Sequence, residues 1–113
     1  MVIKSTYIPD RQDIIWLNFE PQKGREMQKT RPALIVSPRN YNAKAGLALC
    51  VPITSKVKQY PFEIIINDQE ITGAILCDQL RSLDWRERKA SFIQRCNDQV
   101  FFEVIETIKL LIN

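Results

Sequence analysis

Residues 13–36 read DIIWLNFEPQKGREMQKTRPALIV, two apolar runs separated by a polar connection, Pro21 to Arg31, whose only large apolar side chain is Met27. The first run alternates between two apolar faces, which predicts a strand from Asp13 to Glu20. The second, PALIVS (Pro32 to Ser37), is continuously apolar, which is typical of a strand covered on both faces. The expected faces of the first strand are Ile15, Leu17 and Phe19 on one side and Ile14 and Trp16 on the other.

The chain after this segment continues as short apolar runs divided by polar turns. PRNYNAKAG (38–46) predicts a short helical turn closed by Gly46. Pro52, near the end of the next run, predicts that a strand terminates or a sheet edge lies there, since proline cannot donate to a ladder. The runs that predict strands are LALCVPIT (47–54), YPFEIIIN (60–67), GAILCDQLRSL (73–83) and, more weakly, ASFIQRC (90–96).

The tail from residue 97 changes to a helical period. Asn97 is a candidate N-cap, and Asp98 suits the positive end of a helix. Five or six short antiparallel strands followed by one amphipathic helix predict an α+β, mainly β domain over residues 1–113, with a strongly curved sheet or partial barrel against the helix. The apolar side chains at helical spacing are Phe101, Val104, Ile105, Ile108, Leu111 and Ile112.

Composition excludes several classes of protein. The 113 residues are 45% apolar and 26% charged, as in soluble globular proteins, and no run is long enough for a membrane span or resembles a secretory signal. We therefore expect a cytoplasmic protein. Cys50, Cys77 and Cys96 form no CxxC pair and lie in apolar runs, so we expect them to be buried core residues rather than zinc ligands.

The chain contains no histidine, so acid–base chemistry would have to come from Glu, Asp, Lys, Tyr, Ser or Thr. We expect no metal and no cofactor. The formal charge of +3 is compatible with a polyanionic partner but does not demonstrate one. Apolar runs with little alternation also suggest that a second subunit covers part of the surface, although a well-closed barrel would explain them equally.

The connection from Pro21 to Arg31 is longer than a hairpin loop needs to be. One interpretation is a solvated loop; the other is a binding or catalytic loop, with Glu26 as a potential base. Arg31 is the best placed of its cations, because the following proline holds its backbone extended and a guanidinium can offer paired donors to a phosphate. The other cations of the connection are Lys23, Arg25 and Lys29.

Three further polar clusters have two interpretations each. Thr54 and Ser55 either cap a turn or contact a ligand. Asp78 and Gln79, within an apolar run, form either an internal hydrogen-bonded pair or part of a cleft. Trp85 is either a stacking site for single-stranded nucleic acid or a core residue under a charged turn. The basic residues around it are Arg81, Arg86, Arg88 and Lys89.

Taken together, QDIIW, the pattern F-x-P-x-K-G-x-E, RPALIVSP, YN, VPIT, YPFE and DQLRSLDWRER resemble the MazF/PemK family of toxin endoribonucleases, in order and spacing from about Pro9 to Arg88. The resemblance implies a homodimer of small SH3-like barrels that cleaves single-stranded RNA, usually mRNA, without a metal. It also implies an antitoxin that inhibits the toxin by laying an acidic, partly disordered tail across the dimer.

The family's catalytic residues correspond to Glu26, Arg31 and Thr54. In the mechanism that this implies, Glu26 takes the proton of the ribose 2′-OH, Arg31 stabilises charge on the phosphate and Thr54 adds a hydrogen bond. The products are a 2′,3′-cyclic phosphate and a 5′-OH. The residues expected to hold the RNA are Arg25, Lys29, Ser55, Lys58, Asp78, Gln79 and Arg86.

Two positions depart from the family pattern. Met27 follows Glu26 where a glutamine is common, and Leu76 stands where PemK-like members carry an arginine that acts with the following aspartate. The second departure puts a catalytic role for Asp78 in doubt. Two alternatives stay open: a non-enzymatic toxin of related fold that poisons DNA gyrase, and an RNA-binding module without activity.

Overall fold

The computed structural model describes residues 7–19 and 30–113, and these form a curved antiparallel sheet with two helices. The sheet follows the path β4-β5-β3-β2-β1-β7, and β6 pairs with β3 beside this path. In chain order the elements are β1 (Asp13–Asn18), β2 (Thr30–Ile35), α1 (Arg39–Ala45), β3 (Leu47–Thr54), β4 (Glu63–Asn67), β5 (Thr72–Leu76), β6 (Arg81–Asp84), β7 (Ser91–Arg95) and α2 (Asp98–Ile112).

The long strand β3 organises the sheet. One of its edges pairs with β2, and the other is shared by two partners: β6 opposite residues 47–50 and β5 opposite Ile53 and Thr54. Pro52 lies where the ladder passes from one partner to the other. The expectation that the strand ends or meets a sheet edge at Pro52 is therefore wrong, because β3 continues to Thr54. Pro52 has no backbone N–H to donate, and the sheet tolerates this because β3 changes its partner from β6 to β5 at this position.

The core consists of two clusters on the two faces of the central strands. Ile14, Leu34 and Val51 contribute to the first cluster, which α2 covers with Phe101 and Val104. The second cluster lies on the opposite face and is closed by β6 and the turn after it; it comprises Ile15, Leu17, Ala33, Ile35, Ala48, Cys50, Leu83 and Trp85. The predicted separation of Ile14 from Ile15 and Leu17, and the prediction that PALIVS is covered on both faces, are confirmed.

The structure divides one of the predicted strands. GAILCDQLRSL forms β5 and β6, joined by residues 77–80. The prediction that Asp78 and Gln79 lie within a strand is therefore wrong: the chain turns there, and the Gln79 N–H donates to the Leu76 carbonyl oxygen at 3.1 Å. A polar pair in an apolar run is an acceptable turn, because its side chains can stay solvated while the chain reverses.

The end of α1 and the start of α2 lie where the sequence predicts them. Gly46 closes α1 with a φ of 72°, and its N–H donates to the Asn42 carbonyl oxygen. Asn97 caps α2, since its side chain accepts hydrogen bonds from the Gln99 and Val100 N–H groups. In the range 7–19 and 30–113, neither helix has the length and hydropathy needed to cross a membrane.

The apolar face of α2 is shorter than its period suggests. Phe101, Val104 and Ile108 are buried, but Leu111 and Ile112 at its C-terminal end are 42% and 73% exposed. These last two residues keep the predicted helical spacing but are exposed, because the helix outruns the sheet that it covers. The three cysteines are buried and free, as predicted.

Candidate functional site: a groove at the end of β3

Three separate segments meet at one groove near the C-terminal end of β3. Arg31 comes from β2, Thr54 ends β3, and Gln79 comes from the turn between β5 and β6. We call this the central groove; its volume is about 350 Å³. It is lined by Phe19, Arg31, Pro52, Ile53, Thr54, Leu76, Gln79 and Arg81.

Arg31 is held at the groove by its backbone. It pairs with Leu17 of β1 and precedes Pro32, which favours an extended conformation. Leu17 is buried, whereas the Arg31 side chain is exposed. The strand therefore anchors Arg31 while its guanidinium remains accessible to a ligand.

Thr54 is positioned by a close contact between strands. It pairs with Ala74 of β5, and a Cβ added at Gly73 (φ 156°) would overlap the Thr54 carbonyl oxygen. Glycine is needed at that position for β5 to approach β3 this closely. The Thr54 Oγ1 accepts a hydrogen bond from the Lys56 N–H at 3.1 Å, so its predicted turn-capping role is confirmed. The same side chain lines the groove, so the two interpretations of Thr54 do not exclude each other.

Arg81 is a groove residue that our sequence analysis did not place in the site. Its guanidinium carbon lies 5.7 Å from the centre of the Phe19 ring, in cation–π geometry. Two guanidinium groups therefore line the central groove, and among residues 7–19 and 30–113 no carboxylate belongs to its lining. This balance of charge favours an anion. The signal in the sequence was the DQLR segment itself, in which Arg81 follows Gln79 by two residues.

Two pockets flank the central groove and share Thr54 with it. The Tyr60 pocket, about 310 Å³, is lined by Thr54, Lys56, Lys58, Tyr60, Glu63, Leu76 and Gln79. The Trp16 pocket, about 490 Å³, is lined by Trp16, Thr30, Arg31, Pro32, Ile53, Thr54, Ser55, Lys56, Glu70, Ile71 and Thr72. Lys58 and Ser55, both predicted from the sequence, thus lie beside the groove, together with Lys56, Tyr60 and Trp16, which were not predicted.

Asp78 lies at the edge of the Tyr60 pocket, where its carboxylate accepts a hydrogen bond from the Tyr60 hydroxyl. This bond raises the pKa of the Tyr60 phenol, as do desolvation and the charges of Asp78 and Glu63. The proposed internal pair of Asp78 with Gln79 is replaced by a pair of Asp78 with Tyr60. Gln79 lines the central groove instead.

Arg86 lies apart from these residues. It follows β6 at the end that pairs with Leu47, seven residues before Thr54 on β3, which is roughly 20 Å of strand. Its guanidinium stacks 4.8 Å from the Trp85 ring centre. Trp85 is only 2% exposed, and its Nε1 donates to the Asn42 carbonyl oxygen at 3.0 Å. Trp85 is therefore a core residue and not a stacking site for a base.

Three predicted site residues, Arg25, Glu26 and Lys29, lie outside the described residues. The groove can still be tested for a nucleophile of its own. Cys50 is paired with Arg81 across β3 and β6, but burial raises the pKa of its thiol to about 12 despite the opposing charges of Arg81 and Arg88. A thiol that stays protonated at neutral pH is a poor nucleophile, so Cys50 is not a candidate for that role.

A curved antiparallel sheet that presents a cationic groove with hydroxyl and amide groups defines a small β protein whose groove suits an anionic ligand. The profile of the PemK-like, MazF-like toxins of type II toxin–antitoxin systems matches residues 10–112. The chain belongs to this family.

Relatives and solved structures agree with this assignment. The chain is 48% identical over 87 residues to the endoribonuclease toxin MazF of Escherichia coli K12, which covers 77% of this chain and 78% of that protein. A crystal structure of MazF from Deinococcus radiodurans superposes with a TM-score of 0.85 at 41% identity, covering 95% of this chain and 98% of the other.

A MazE–MazF crystal structure from the same organism also gives a TM-score of 0.85, at 40% identity, and covers 94% and 97% of the two chains. The predicted fold class, a mainly β curved sheet or half-barrel with a C-terminal helix, is confirmed by these superpositions. So is the prediction of the endoribonuclease class, since the curated relatives carry that name.

Proposed function

We propose that this protein is the toxin of a type II toxin–antitoxin system and cleaves single-stranded RNA, usually mRNA, at specific short sequences without a metal ion. The observation that carries the proposal is the convergence of Arg31, Thr54 and Gln79 on the central groove. A guanidinium, a hydroxyl and an amide supply hydrogen-bond donors to the oxygens of one phosphodiester. Arg81 adds a second guanidinium, whereas the position occupied by Leu76 supplies none.

The chemistry that suits these groups uses the 2′-OH of the substrate as nucleophile. The 2′-oxygen attacks the adjacent phosphorus and gives its proton to a base, for which Glu26 is the candidate. The P–O5′ bond breaks, the 5′-oxygen takes up a proton from water, and Glu26 returns its proton to the hydroxide that is left. The products are a 2′,3′-cyclic phosphate and a 5′-OH.

Arg31 acts on the negative charge that develops on the non-bridging oxygens, and loss of one such donor commonly costs about 3 to 4 kcal/mol. Thr54 is placed to donate a further hydrogen bond to the same phosphate. Ser55 and Lys58 extend the contact to the nucleotides on either side, because they line the two flanking pockets. Arg25, Lys29 and Arg86 complete the set proposed to hold RNA.

The proposed partners are a second copy of this chain and an antitoxin with an acidic, partly disordered tail. Phe102, Leu110 and Ile112 on α2 are 61–77% exposed, an apolar surface suited to a subunit contact. Sedimentation velocity should show a dimer at micromolar concentration, and a monomer throughout would refute the proposed homodimer.

The net charge of +3 and the cationic groove favour an acidic inhibitor, which should compete with RNA in a cleavage assay. The proposed location is the cytoplasm, where mRNA is translated.

The decisive test incubates purified protein with long RNA in the presence of EDTA and maps the new 5′ ends. We expect cuts at one short sequence with 5′-OH termini. A substrate with 2′-deoxyribose at the scissile nucleotide should bind and stay intact, because the nucleophile is missing. Intact RNA together with inhibited DNA gyrase would instead identify a gyrase poison, and RNA that is bound but never cut would identify an inactive binding module.

A further inference from the structure

The Tyr60 pocket differs from the central groove in charge, although the two share Thr54, Leu76 and Gln79. Within the part of the chain that the structure describes, the central groove is lined by Arg31 and Arg81 and by no carboxylate. The Tyr60 pocket is lined by Lys56 and Lys58, but their charges are offset by the Glu63 carboxylate in the lining and by Asp78, which is bonded to the Tyr60 hydroxyl. Because phosphate is repelled by carboxylates, a bound RNA strand should place its phosphate in the groove and an uncharged part in the pocket.

The Tyr60 ring is held in place on two sides. Its hydroxyl donates to the Asp78 carboxylate, and its ring meets the Phe62 ring edge-on with centroids 5.9 Å apart. Its side chain is nevertheless 44% exposed and lines the pocket. An aromatic ring with a fixed orientation and an open surface costs little entropy when a planar ligand stacks on it.

The segment that carries Tyr60 is also tied down. The Glu63 carboxylate accepts hydrogen bonds from the Lys58 and Gln59 N–H groups at 3.0–3.4 Å. Gln59 adopts a φ of 57°, a conformation that non-glycine residues rarely hold unless their surroundings impose it. Glu63 therefore shapes the backbone before Tyr60, which leaves the tyrosine ring and the Lys58 side chain to meet a ligand.

We propose that Tyr60 is a stacking platform for one nucleobase of the RNA, next to the scissile phosphate, and that Asp78 is a positioning residue that acts through the Tyr60 hydroxyl. This inference rests on the proposed function. It assigns to Asp78 a role in binding and none in the chemical step. Because stacking tolerates any base, Tyr60 contributes affinity and not the identity of the sequence that is cut.

The test measures the Kd of the full-length protein for a short single-stranded RNA that contains the mapped cleavage sequence with 2′-deoxyribose at the scissile nucleotide. Tyr60→Ala should raise this Kd about 5- to 150-fold, the range that loss of one base–aromatic stack produces. Tyr60→Phe, which keeps the ring and loses the bond to Asp78, should have a smaller effect. Tyr41→Ala is the matched control, since Tyr41 is 42% exposed on α1, outside the groove and both flanking pockets.

Abasic substitution identifies the stacked base. Replacing each base in turn should reveal one position beside the scissile phosphate where an abasic site weakens binding to the wild type but not to Tyr60→Ala. If no position behaves in this way, the stacking assignment is overturned.

A double-mutant cycle tests the role of Asp78. Asp78→Ala should raise KM and leave kcat within about threefold, and it should add nothing in the Tyr60→Ala background, as expected for residues that act as one unit. A large loss of kcat in Asp78→Ala would make Asp78 catalytic and overturn its positioning role.

The failure of this inference is distinguishable from failure of the proposed function. Wild-type protein that binds and cuts RNA while Tyr60→Ala binds equally well overturns the role of Tyr60 alone. Wild-type protein that does not bind RNA overturns both. Tyr60→Ala that loses only the acidic inhibitor, with RNA affinity unchanged, would assign the pocket to the protein partner and would also overturn the stacking role.

Discussion

The central groove and the Trp85 region each place an arginine over an aromatic ring, but the two rings have different roles. In the central groove, Arg81 lies beside Phe19 in a lining that also holds Arg31, Thr54 and Gln79. At the opposite end of β3, Arg86 stacks on Trp85, which is buried and whose indole N–H is already used on the backbone of α1. A cation beside an aromatic residue marks a binding site only where unused donors converge with it.

The largest expected effect is a loss of stability on mutation of Trp85, which a mutation beside the central groove should not produce. Trp85→Ala should lower the free energy of unfolding by about 3 to 5 kcal/mol, because it removes a buried aromatic from the second core cluster. Urea unfolding followed by circular dichroism measures the change. Trp16→Ala is the matched control, since Trp16 is 40% exposed beside the groove and should cost much less stability. Equal losses would contradict the division into core and site.

The next largest effect is a loss of kcat, which we expect from mutation of an arginine in the groove but not of the arginine beside Trp85. Arg31→Ala should reduce kcat for RNA cleavage about 10²- to 10³-fold, the usual loss for one donor to a developing charge. Its exposed side chain leaves the fold intact on removal, which thermal unfolding would verify. Arg86→Ala, the same change at the other region, should act mainly on KM. A loss of kcat as large as that of Arg31→Ala would show that the active site extends to Trp85.

A smaller effect tests how rigidly the groove is built. Gly73→Ala would force a Cβ against the Thr54 carbonyl oxygen, and overpacking of this kind commonly costs about 1 to 3 kcal/mol. Because the displaced residue lines the groove, kcat should fall together with stability. Gly46→Ala is the control: it also carries strain from a positive φ, but a Cβ there meets open space far from the groove. Normal kcat in Gly73→Ala would show that the exact place of Thr54 is unimportant.

Much of the architecture was predictable because its signals are local. The alternation of Ile14 with Ile15 and Leu17, the apolar run after Pro32 and the cap at Asn97 each depend on a few neighbouring residues. The prediction of a strand end or sheet edge at Pro52 failed because the effect of a proline depends on which strand pairs with it, and β3 changes partner there. The helical period also includes Leu111 and Ile112, but it could not show that they are exposed, because the sheet beneath α2 has ended there.

The candidate site was predictable only in part. Arg31 and Thr54 carry sequence signals of their own, a following proline and a strand end, and the structure brings them together. Lys56 carries no such signal, and Tyr60 and Arg81 have only their places in the YPFE and DQLR segments. Arg86 was predicted to hold RNA and Arg81 was not, but the pairing of β6 with β3 places Arg81 at the groove and Arg86 at the other end of β3.

By itself, the sequence determined a mainly β fold with a C-terminal helix, buried cysteines and an arginine held before an extended strand. It also determined the family, through several short segments in a fixed order. The tertiary structure alone decided that Arg31, Thr54, Gln79 and Arg81 share one groove, that Trp85 belongs to the core, and that Asp78 holds Tyr60. The reason is physical: periodicity and capping act within a few residues, whereas a groove is made by strands that meet only after the whole sheet has formed.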